Sequence, residues 1–327
     1  MPSDPVLARL IKVARLYYLY SLSQQQIADK LKVSRPGISR LLQEARNRGV
    51  VRIEIVDPEG NGADIERSLR EKFGLKKAVV IPNEGAQDES GLKRRLGMAA
   101  ARILDGLVRE GSVVGISWGS TMQEVVRHLN PRRVKDATVV QIIGGIARAE
   151  YDTHASEIAM KLADNYRAVP FLLPVPAIVD DGRVKEALMS DSRIARVLDL
   201  GRQAEIAVFS VGRLNHGCLM CRAEYFKNQE VDALLRRGAV GDIISRIVTH
   251  SGAICSPELD RRTVGIELAD LKKKPFSIAV AGGREKLPVI RAGLLGGFFN
   301  VLVTDEESAV RLLDRNDSGA ATIGKDV

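Results

Sequence analysis

Apolar residues recur at helical spacing three times in the first 50 positions of the chain. A first helix over residues 6–20 is predicted by the stripe of Val6, Leu10, Val13, Ala14 and Tyr17. A second helix begins after Ser23, whose spacing to Gln26 is that of a capping box. A third begins after Ser34 and has a proline in its first turn. The last two helices, joined by a short turn, predict a helix-turn-helix.

The pattern changes after the third helix. Residues 50–55, VVRIEI, follow a glycine that suits a helix C-cap and alternate like a strand, which predicts a winged helix. Residues 57–64, DPEGNGAD, contain proline, two glycines and an asparagine between two regular patterns. We therefore predict a winged helix-turn-helix domain over residues 1–56, a linker over 57–64 and a larger domain over 65–327.

In the larger domain, short apolar runs alternate with helical patterns. The runs are AVVIP, SVVGISW, ATVVQIIGG, FLLPVPAIV, AEIAVFSVG, FSIAVAGG and NVLVTD. They lack the polar alternation of a sheet with one solvated face, so they predict a parallel sheet covered by helices on both faces. The predicted fold class is therefore α/β, with a Rossmann-like domain following the winged helix-turn-helix.

Composition is consistent with two domains in a reducing compartment. The 327 residues are 45% hydrophobic, which allows one large core and a small accessory domain. The sequence shows neither a signal-peptide layout nor a run of about 20 apolar residues, so we expect a soluble, cytoplasmic protein with no membrane partner. Its three cysteines, an odd number, do not suit a disulfide framework.

Positive charge is concentrated in the helix-turn-helix. The net charge is +8, and residues 1–60 hold ten Lys and Arg against six Asp and Glu. This excess suits the phosphates of double-stranded DNA, although a helical hairpin with a solvated basic face is the alternative. Arg35 and Arg40 lie near the helix end that enters the major groove, where arginine binds guanine. The predicted DNA-binding residues are Gln25, Ser34, Arg35, Pro36, Ser39, Arg40, Arg46 and Arg48.

A Gly-Ser-Thr turn follows the second apolar run of the larger domain. Gly119, Ser120 and Thr121 lie where a strand leads into a helix N-terminus, the usual ligand position in open α/β sheets. Hydroxyls and backbone N–H groups there suit the phosphate of a sugar phosphate, although glycine also serves plain tight turns. No GxxxxGK[ST] loop is present and no GxGxxG follows the first strand, so no nucleotide or other cofactor is expected.

The N-terminal run ARLYYLYSLSQQQIADKLKVSRPGISRLLQEARNRGVVRIEI strongly resembles the SorC family of sugar-responsive bacterial transcriptional regulators, especially its deoxyribonucleoside-regulator branch. The resemblance continues through GISWGSTM, QIIGGI, GAVGDI, RTVGIEL and AVAGGREK and covers roughly residues 8–314. It implies an effector domain that resembles sugar-phosphate isomerases, has lost catalysis and binds a phosphorylated sugar as a signal.

The resemblance also implies the residues of the effector site. Asp242 would hold sugar hydroxyls, His154 would face the ligand, and Lys286 would neutralise its phosphate; capping, packing or a solvated position is the plainer alternative for each. The implied effector-binding residues are Gly119, Ser120, Thr121, Gly144, Gly145, His154, Asp242, Gly282, Gly283 and Lys286.

This chain departs from the family at two positions. Relatives can carry a basic residue where this chain has Ile143, so chemistry that needs an amine there is lost and the ligand can differ from deoxyribose phosphate. Relatives often carry a larger side chain at the position of Gly37, which offers no base contact.

Two function classes remain after these observations. The first is a ligand-gated transcriptional regulator, and the second is a sugar-phosphate isomerase in which Asp242 or His154 abstracts a proton. The basic helix-turn-helix favours the regulator, not an enzyme. One winged helix covers a half-site, so we predict an imperfect palindromic operator and at least a homodimer, or by resemblance a homotetramer. The sequence leaves open whether the protein is a repressor or an activator.

A CxxC motif raises two alternatives, a metal site and a redox-sensing pair of thiols. The candidate ligands are His216, Cys218, Cys221, His250 and Cys255. A single CxxC without a second pair at ribbon spacing is weak support for zinc, so incidental thiols and no metal are expected.

Overall fold

The computed structural model describes residues 5–51, 62–83, 88–145, 154–222 and 225–314. The chain divides into two compact units, Met1–Gly60 and Asn61–Val327. Residues 52–61, which include most of the predicted wing and the start of the predicted linker, lie outside the described residues. The last three residues of the predicted linker, 62–64, form the start of a helix instead.

The N-terminal unit contains α1 (Pro5–Ala14), a π-helical turn (Arg15–Leu19), α2 (Gln24–Leu31) and α3 (Arg35–Asn47). The capping box at α2 is confirmed: Ser23 Oγ accepts the N–H of Gln26 at 3.2 Å, and Gln26 Oε1 accepts the N–H of Ser23 at 2.9 Å. Ser34 Oγ accepts the N–H of Gly37 at 3.3 Å and so begins α3. These caps satisfy N–H groups that have no partner inside a helix.

The larger unit alternates strands and helices along the chain. Its first part contains α4 (Gly62–Phe73), β1 (Lys77–Ile81), α5 (Glu89–Leu107), β2 (Val113–Ile116), α6 (Ser120–Arg127), β3 (Thr138–Gln141), α7 (Ala155–Tyr166), β4 (Val169–Phe171), α8 (Gly182–Ser190) and α9 (Ser192–Gln203). Its middle part contains β5 (Ile206–Phe209), β6 (Val211–Arg213), α10 (Leu219–Arg222), α11 (Asn228–Arg236), β7 (Ala239–Ile243), β8 (Arg246–Thr249), α12 (Pro257–Arg262) and α13 (Leu268–Lys272). Its last part contains β9 (Phe276–Val280), a 3-10 turn (Arg284–Lys286), α14 (Leu287–Gly296), β10 (Val301–Asp305) and α15 (Glu306–Leu313).

Seven strands form a parallel sheet in the order β1-β10-β9-β5-β2-β3-β4, which confirms the predicted α/β class. From β2 the chain proceeds through β3 to β4 at one edge. From β5 it proceeds through β9 to β10 in the opposite direction. The strand order therefore reverses between β2 and β5, and ligands of open α/β sheets bind outside the carboxyl ends of strands at such a point.

Both faces of the sheet are buried, as the lack of polar alternation predicted. In β5, Ile206 and Val208 pack into one hydrophobic cluster, whereas Ala207 and Phe209 pack into the other. Successive side chains of a strand point to opposite faces, so helices must cover both sides. No helix within the described ranges combines the length and hydropathy needed to cross a membrane.

Two features of the sheet region differ from the sequence prediction. The predicted run FLLPVPAIV contributes only its first residue to β4, and residues beyond it form isolated bridges, such as that between Gly145 and Pro176. The prediction also missed a second, antiparallel sheet of β6, β7 and β8. The apolar run that predicts β5 extends through residues 211 and 212, because no local signal shows that the chain changes sheets between Phe209 and Val211.

Candidate functional site

The N-terminal half of α3 presents an exposed basic surface. Arg35, Ser39 and Arg40 are exposed, while Ile38 and Leu42 on the opposite side of the helix are buried. Within the described part of the chain, neither arginine forms an ion pair or a side-chain hydrogen bond. The predicted base-contacting groups are therefore directed to solvent, where a DNA groove can reach them.

The structure gives a steric reason for glycine at position 37 that the sequence alone does not show. A Cβ at this position would lie 2.8 Å from Val33 Cγ1 and 3.2 Å from Ser34 Oγ. A larger residue would push against the turn between α2 and α3. Glycine therefore leaves room for the Val33 side chain beside the start of α3.

The arginines at the far end of α3 have partners inside the unit. Arg46 Nε donates to Tyr18 Oη at 2.8 Å, and Arg48 Nε pairs with Glu44 Oε1 at 2.8 Å. Their phosphate contacts stay a prediction. Exposed pairs of this kind are weak, so they orient these guanidinium groups without removing their charge from the surface.

In the larger unit, a cavity of about 190 Å³ lies where the strand order reverses. Ser117, Trp118 and Gly119, which follow β2, form one wall, and the residues that follow β5 form another. The cavity brings together half of the implied effector-binding residues: Gly119, Ser120, Thr121, Asp242 and Lys286. Ile143 also lines it, at the position where relatives can carry a basic residue.

The N-terminus of α6 opens into the cavity. Gly119 has φ 115°, a conformation that side chains disfavour, and a Cβ there would meet no atom within 4 Å, so the backbone angle is what requires glycine. The N-cap of this helix is Gly119 itself, which has no side chain to cap the first N–H groups. Gly97 lets α5 pack closely on α6, because a Cβ there would lie 2.6 Å from the carbonyl carbon of Glu124. The packing fixes a helix end whose first N–H groups can bind an anion.

Asp242 projects into the cavity from β7. Its backbone pairs with Gly212 of β6, and a Cβ on Gly212 would overlap Asp242 Oδ1. Oδ2 accepts the N–H of Ser245 at 3.0 Å. Burial raises the pKa of Asp242 to about 6, although the Ser245 N–H and the positive charge of Lys286 act in the opposite direction. The site thus holds a carboxylate that can accept hydrogen bonds from hydroxyl groups.

Lys286 reaches the cavity from the 3-10 turn after β9. Its Nζ donates to Ser210 Oγ at 3.3 Å, just beyond the end of β5. Burial lowers its pKa to about 8, and the positive charge of Lys93 acts in the same direction. A neighbouring anion would favour the charged ammonium again.

Other charged side chains also line the cavity. The basic residues Lys286, Arg213 and Arg222 outnumber the acidic residues Glu89 and Asp242. Glu89 pairs with Lys93 at 2.7 Å, and this hydrogen bond lowers the pKa of Glu89. The excess of basic groups suits an anionic ligand.

Gly144 and Gly145 do not line this cavity. Their N–H groups donate to Val264 O at 3.0 Å and Val175 O at 2.9 Å, so protein carbonyls occupy the donors that a ligand would need. A Cβ on Gly144 would lie 2.7 Å from the carbonyl carbon of Pro176. Gly144 therefore lets two backbone segments approach each other, and it accepts a 2.8 Å hydrogen bond from Trp118 Nε1.

The remaining implied residues also lie elsewhere. His154 is the exposed N-cap of α7, and its Nδ1 is 3.0 Å from Glu157 Oε2. Gly282 and Gly283 line a neighbouring cavity, which Lys286 also borders. The N–H of Gly283 donates to Asp305 Oδ2 at 2.7 Å. These residues are not brought to the cavity that holds Asp242.

Sequence reasoning missed three serines in the cavity wall. Ser117 lies inside the GISWGST motif but attracted no role, and Ser210 and Ser245 follow strand ends. Their hydroxyls have no distinctive spacing in the sequence. Two of them, Ser117 and Ser210, lie inside predicted apolar runs, near the run's carboxyl end, and that position is the only signal the sequence carries for them.

The thiols of the CxxC motif lie close together. Cys218 Sγ and Cys221 Sγ are 3.1 Å apart, and both cysteines are free. Burial and the hydrogen bond with Cys218 raise the pKa of Cys221 to about 12, which keeps its thiol protonated. His216 Nε2 lies 2.8 Å from Asp232 Oδ1 instead. Across the described ranges, no three His, Cys, Asp or Glu side chains form a group that could hold a metal ion.

Residues 57–314 match the family model described as "Putative sugar-binding domain". The chain is 40% identical over 304 residues to the deoxyribonucleoside regulator of Bacillus subtilis (strain 168), covering 93% of this chain and 96% of that protein. It is 31% identical over 309 residues to the sorbitol operon regulator of Klebsiella pneumoniae, covering 93% of this chain and 97% of that protein.

A solved structure matches the same extent of the chain. The crystal structure of the full-length sorbitol operon regulator SorC from Klebsiella pneumoniae superposes with a TM-score of 0.76 at 30% identity and covers 95% of this chain and 100% of that chain. The similarity therefore includes both the N-terminal helices and the α/β unit. The chain belongs to the SorC family of transcriptional regulators that carry a sugar-binding domain.

Proposed function

We propose that this protein binds operator DNA through α3 and that a phosphorylated sugar in the cavity between β2 and β5 controls this binding. The observation that carries the proposal is the convergence of Lys286, Asp242 and the N-terminus of α6 on one cavity. Lys286 and the helix N–H groups are suited to a phosphate, and Asp242 is suited to sugar hydroxyls.

The site supports a signal-binding role over an isomerase. The isomerase alternative required Asp242 or His154 as a base, and His154 lies outside the cavity, beside Glu157. Asp242 lines the cavity, so sugar turnover is the measurement that separates the two functions. The exposed basic surface of α3 also has a use in a regulator and none in an isomerase. We therefore propose a regulator that does not turn over its ligand, and an oligomer that places two α3 helices on a palindromic operator.

Ligand binding can be measured by the fluorescence of a residue that lines the cavity. Trp118 is the single tryptophan of the chain and lines the cavity, so its fluorescence should report on binding directly. Lys286→Ala should weaken phosphosugar binding by about 1.5–3 kcal/mol, the usual size of a charge-assisted contact. Lys161→Ala is the matched control, because Lys161 is an exposed lysine on α7 outside the cavity lining. Operator affinity without ligand should be the same in both variants and the wild type.

The regulatory link requires a second titration. If a phosphosugar changes the protein's affinity for operator DNA by some factor, operator DNA must change the protein's affinity for the phosphosugar by the same factor. Each ligand is therefore titrated in the presence and absence of the other. Equal phosphosugar affinity with and without operator, together with conversion of the sugar, would refute the regulator and support the isomerase.

A further inference from the structure

Two serine hydroxyls in the cavity wall are buried without a hydrogen-bond partner among the described residues. Ser117 is 5% exposed and Ser245 is 1% exposed. The Oγ atom of each has no partner, and both residues line the cavity that holds Asp242 and Lys286. Folded proteins rarely leave a buried hydroxyl unpaired, because burial removes the water that would otherwise bind it.

Backbone contacts fix both serines at the cavity. The N–H of Ser117 donates to Val208 O at 3.1 Å, which continues the pairing of β2 with β5 past the strand end. Ser245 is the second residue of the tight turn between β7 and β8, and its N–H donates to Asp242 Oδ2. The two residues of this turn, Ile244 and Ser245, have φ values of 46° and 62°. A β-branched residue disfavours this conformation, so the surrounding structure imposes it.

We propose that Ser117 and Ser245 bind hydroxyl groups on the carbon chain of the effector. The cavity then selects a polyhydroxylated phosphate ester over other small phosphates. This inference rests on the proposed function and adds the part of the ligand that gives specificity. A serine hydroxyl donates one hydrogen bond and can accept two, which matches a sugar hydroxyl in either direction. Lys286 is a donor only and serves the phosphate.

The rest of the wall is compatible with a sugar carbon chain. Apolar side chains contribute surface between the polar groups and would contact the C–H faces of the ligand. They are Ile143, Val211, Leu214, Ile244 and Ile247. The cavity thus combines a cation, a carboxylate, two unpaired hydroxyls and apolar surface, a combination that inorganic phosphate alone would leave largely unused.

The test measures binding and thermal stability on the full-length protein. The variants are Ser117→Ala and Ser245→Ala, and the probes are ribose 5-phosphate, 2-deoxyribose 5-phosphate, sorbitol 6-phosphate and inorganic phosphate. For a phosphosugar that binds the wild type, each substitution should weaken affinity about 3- to 10-fold, the effect of one neutral hydrogen bond. Affinity for inorganic phosphate should stay unchanged. The unliganded Tm should not fall, because each removed hydroxyl has no hydrogen-bond partner among the residues that the structure describes.

Thr304→Val is the matched control. Thr304 on β10 is 0% exposed, its hydroxyl is also without a partner in the described chain, and it does not line this cavity. Valine has nearly the same shape, so this variant should keep the wild-type affinity for every probe. If Ser245→Ala fails to fold, Ser245→Gly removes the same hydroxyl and suits the positive φ of this position.

The outcomes separate this inference from the function on which it rests. If the wild type binds none of the phosphosugars, the proposed function fails and this inference fails with it. If the wild type binds one and both serine variants bind it equally well, only this inference fails. Equal losses for the phosphosugar and for inorganic phosphate would mean that the substitutions distort the cavity, and would also overturn it. A lower Tm with unchanged affinity would assign the hydroxyls to bound water.

Discussion

Replacing Asp242 by asparagine tests whether the cavity holds its carboxylate at a cost to folding. Burial raises the pKa of Asp242 from 3.8 to about 6, even with the Ser245 N–H and Lys286 acting in the opposite direction. A difference of about 2 pH units corresponds to roughly 3 kcal/mol between the two protonation states. Asparagine has nearly the same volume and its Oδ1 can still accept the Ser245 N–H. We expect Asp242→Asn to be more stable than the wild type at pH 7, by up to about 3 kcal/mol.

The pH dependence gives this prediction its sign. The unfolded chain releases the Asp242 proton near pH 4, whereas the folded protein keeps it until about pH 6. The contribution of the protonated carboxyl to stability is therefore complete below pH 4 and is lost as the pH rises to 6. Urea unfolding of both proteins from pH 4 to pH 8, followed by circular dichroism, should show the advantage of Asp242→Asn growing through this window and then levelling off.

A specific result would refute this reasoning. If Asp242→Asn is less stable at pH 7 by an amount that does not change with pH, attraction to Lys286 outweighs the cost of burial and the carboxylate is structural. Asp164→Asn on α7 is the control, because Asp164 is exposed and its substitution should change stability little at any pH. Confirmation, together with weaker phosphosugar binding, would show that the protein keeps a destabilising carboxylate for its ligand.

Arg35→Ala should weaken operator binding by roughly 1–3 kcal/mol and relax the preference at one base pair, whereas Arg48→Ala should weaken binding to operator and to random DNA alike. Competition gel shifts measure both variants, and equal losses on the two DNAs for Arg35→Ala would contradict a base contact. Gly144→Ala should lower the free energy of unfolding by about 1–3 kcal/mol or more, because its methyl group would press on a neighbouring backbone carbonyl. A Cβ at Gly106 in α5 would have open space, so Gly106→Ala should instead raise the free energy of unfolding by about 0.5–1 kcal/mol. Thermal unfolding measures both glycine variants. Phosphosugar affinity should fall as the pH rises through about 8, because bound phosphate favours the charged ammonium of Lys286, and Lys286→Gln should abolish this slope in Trp fluorescence titrations.

The features that the sequence predicted best depend on neighbours a few positions apart. The start of α2 follows from Ser23 and Gln26, whose side chains bond to backbone groups three residues away. The start of α3 follows in the same way from Ser34. The parallel sheet was predictable because burial on both faces removes polar residues from every strand, and each strand carries that signature by itself. The first predicted helix was less accurate, since regular apolar spacing does not distinguish an α-helix from the π-helical turn that ends it.

The composition of the site depends on contacts between distant parts of the chain. Asp242 and Lys286 are site candidates in the sequence only through the family resemblance. In the fold, the reversal of strand order between β2 and β5 brings them beside Gly119. The same resemblance also supplied Gly144 and His154, which the folded chain places outside the cavity.

The physical reason is that a side chain acquires its role from the groups that surround it. Gly144 carries the same sequence signal whether its N–H faces a ligand or, as observed, the carbonyl of Val264. Ser117 and Ser245 resemble any other serine in the sequence; only the fold buries their hydroxyls in the wall of one cavity, where they have no partner within the described ranges. The sequence alone determined the helix caps, the basic surface of α3 and the two-sided burial of the sheet. Tertiary structure decided which polar groups face a common space, because strand order and the turn between β7 and β8 set those positions.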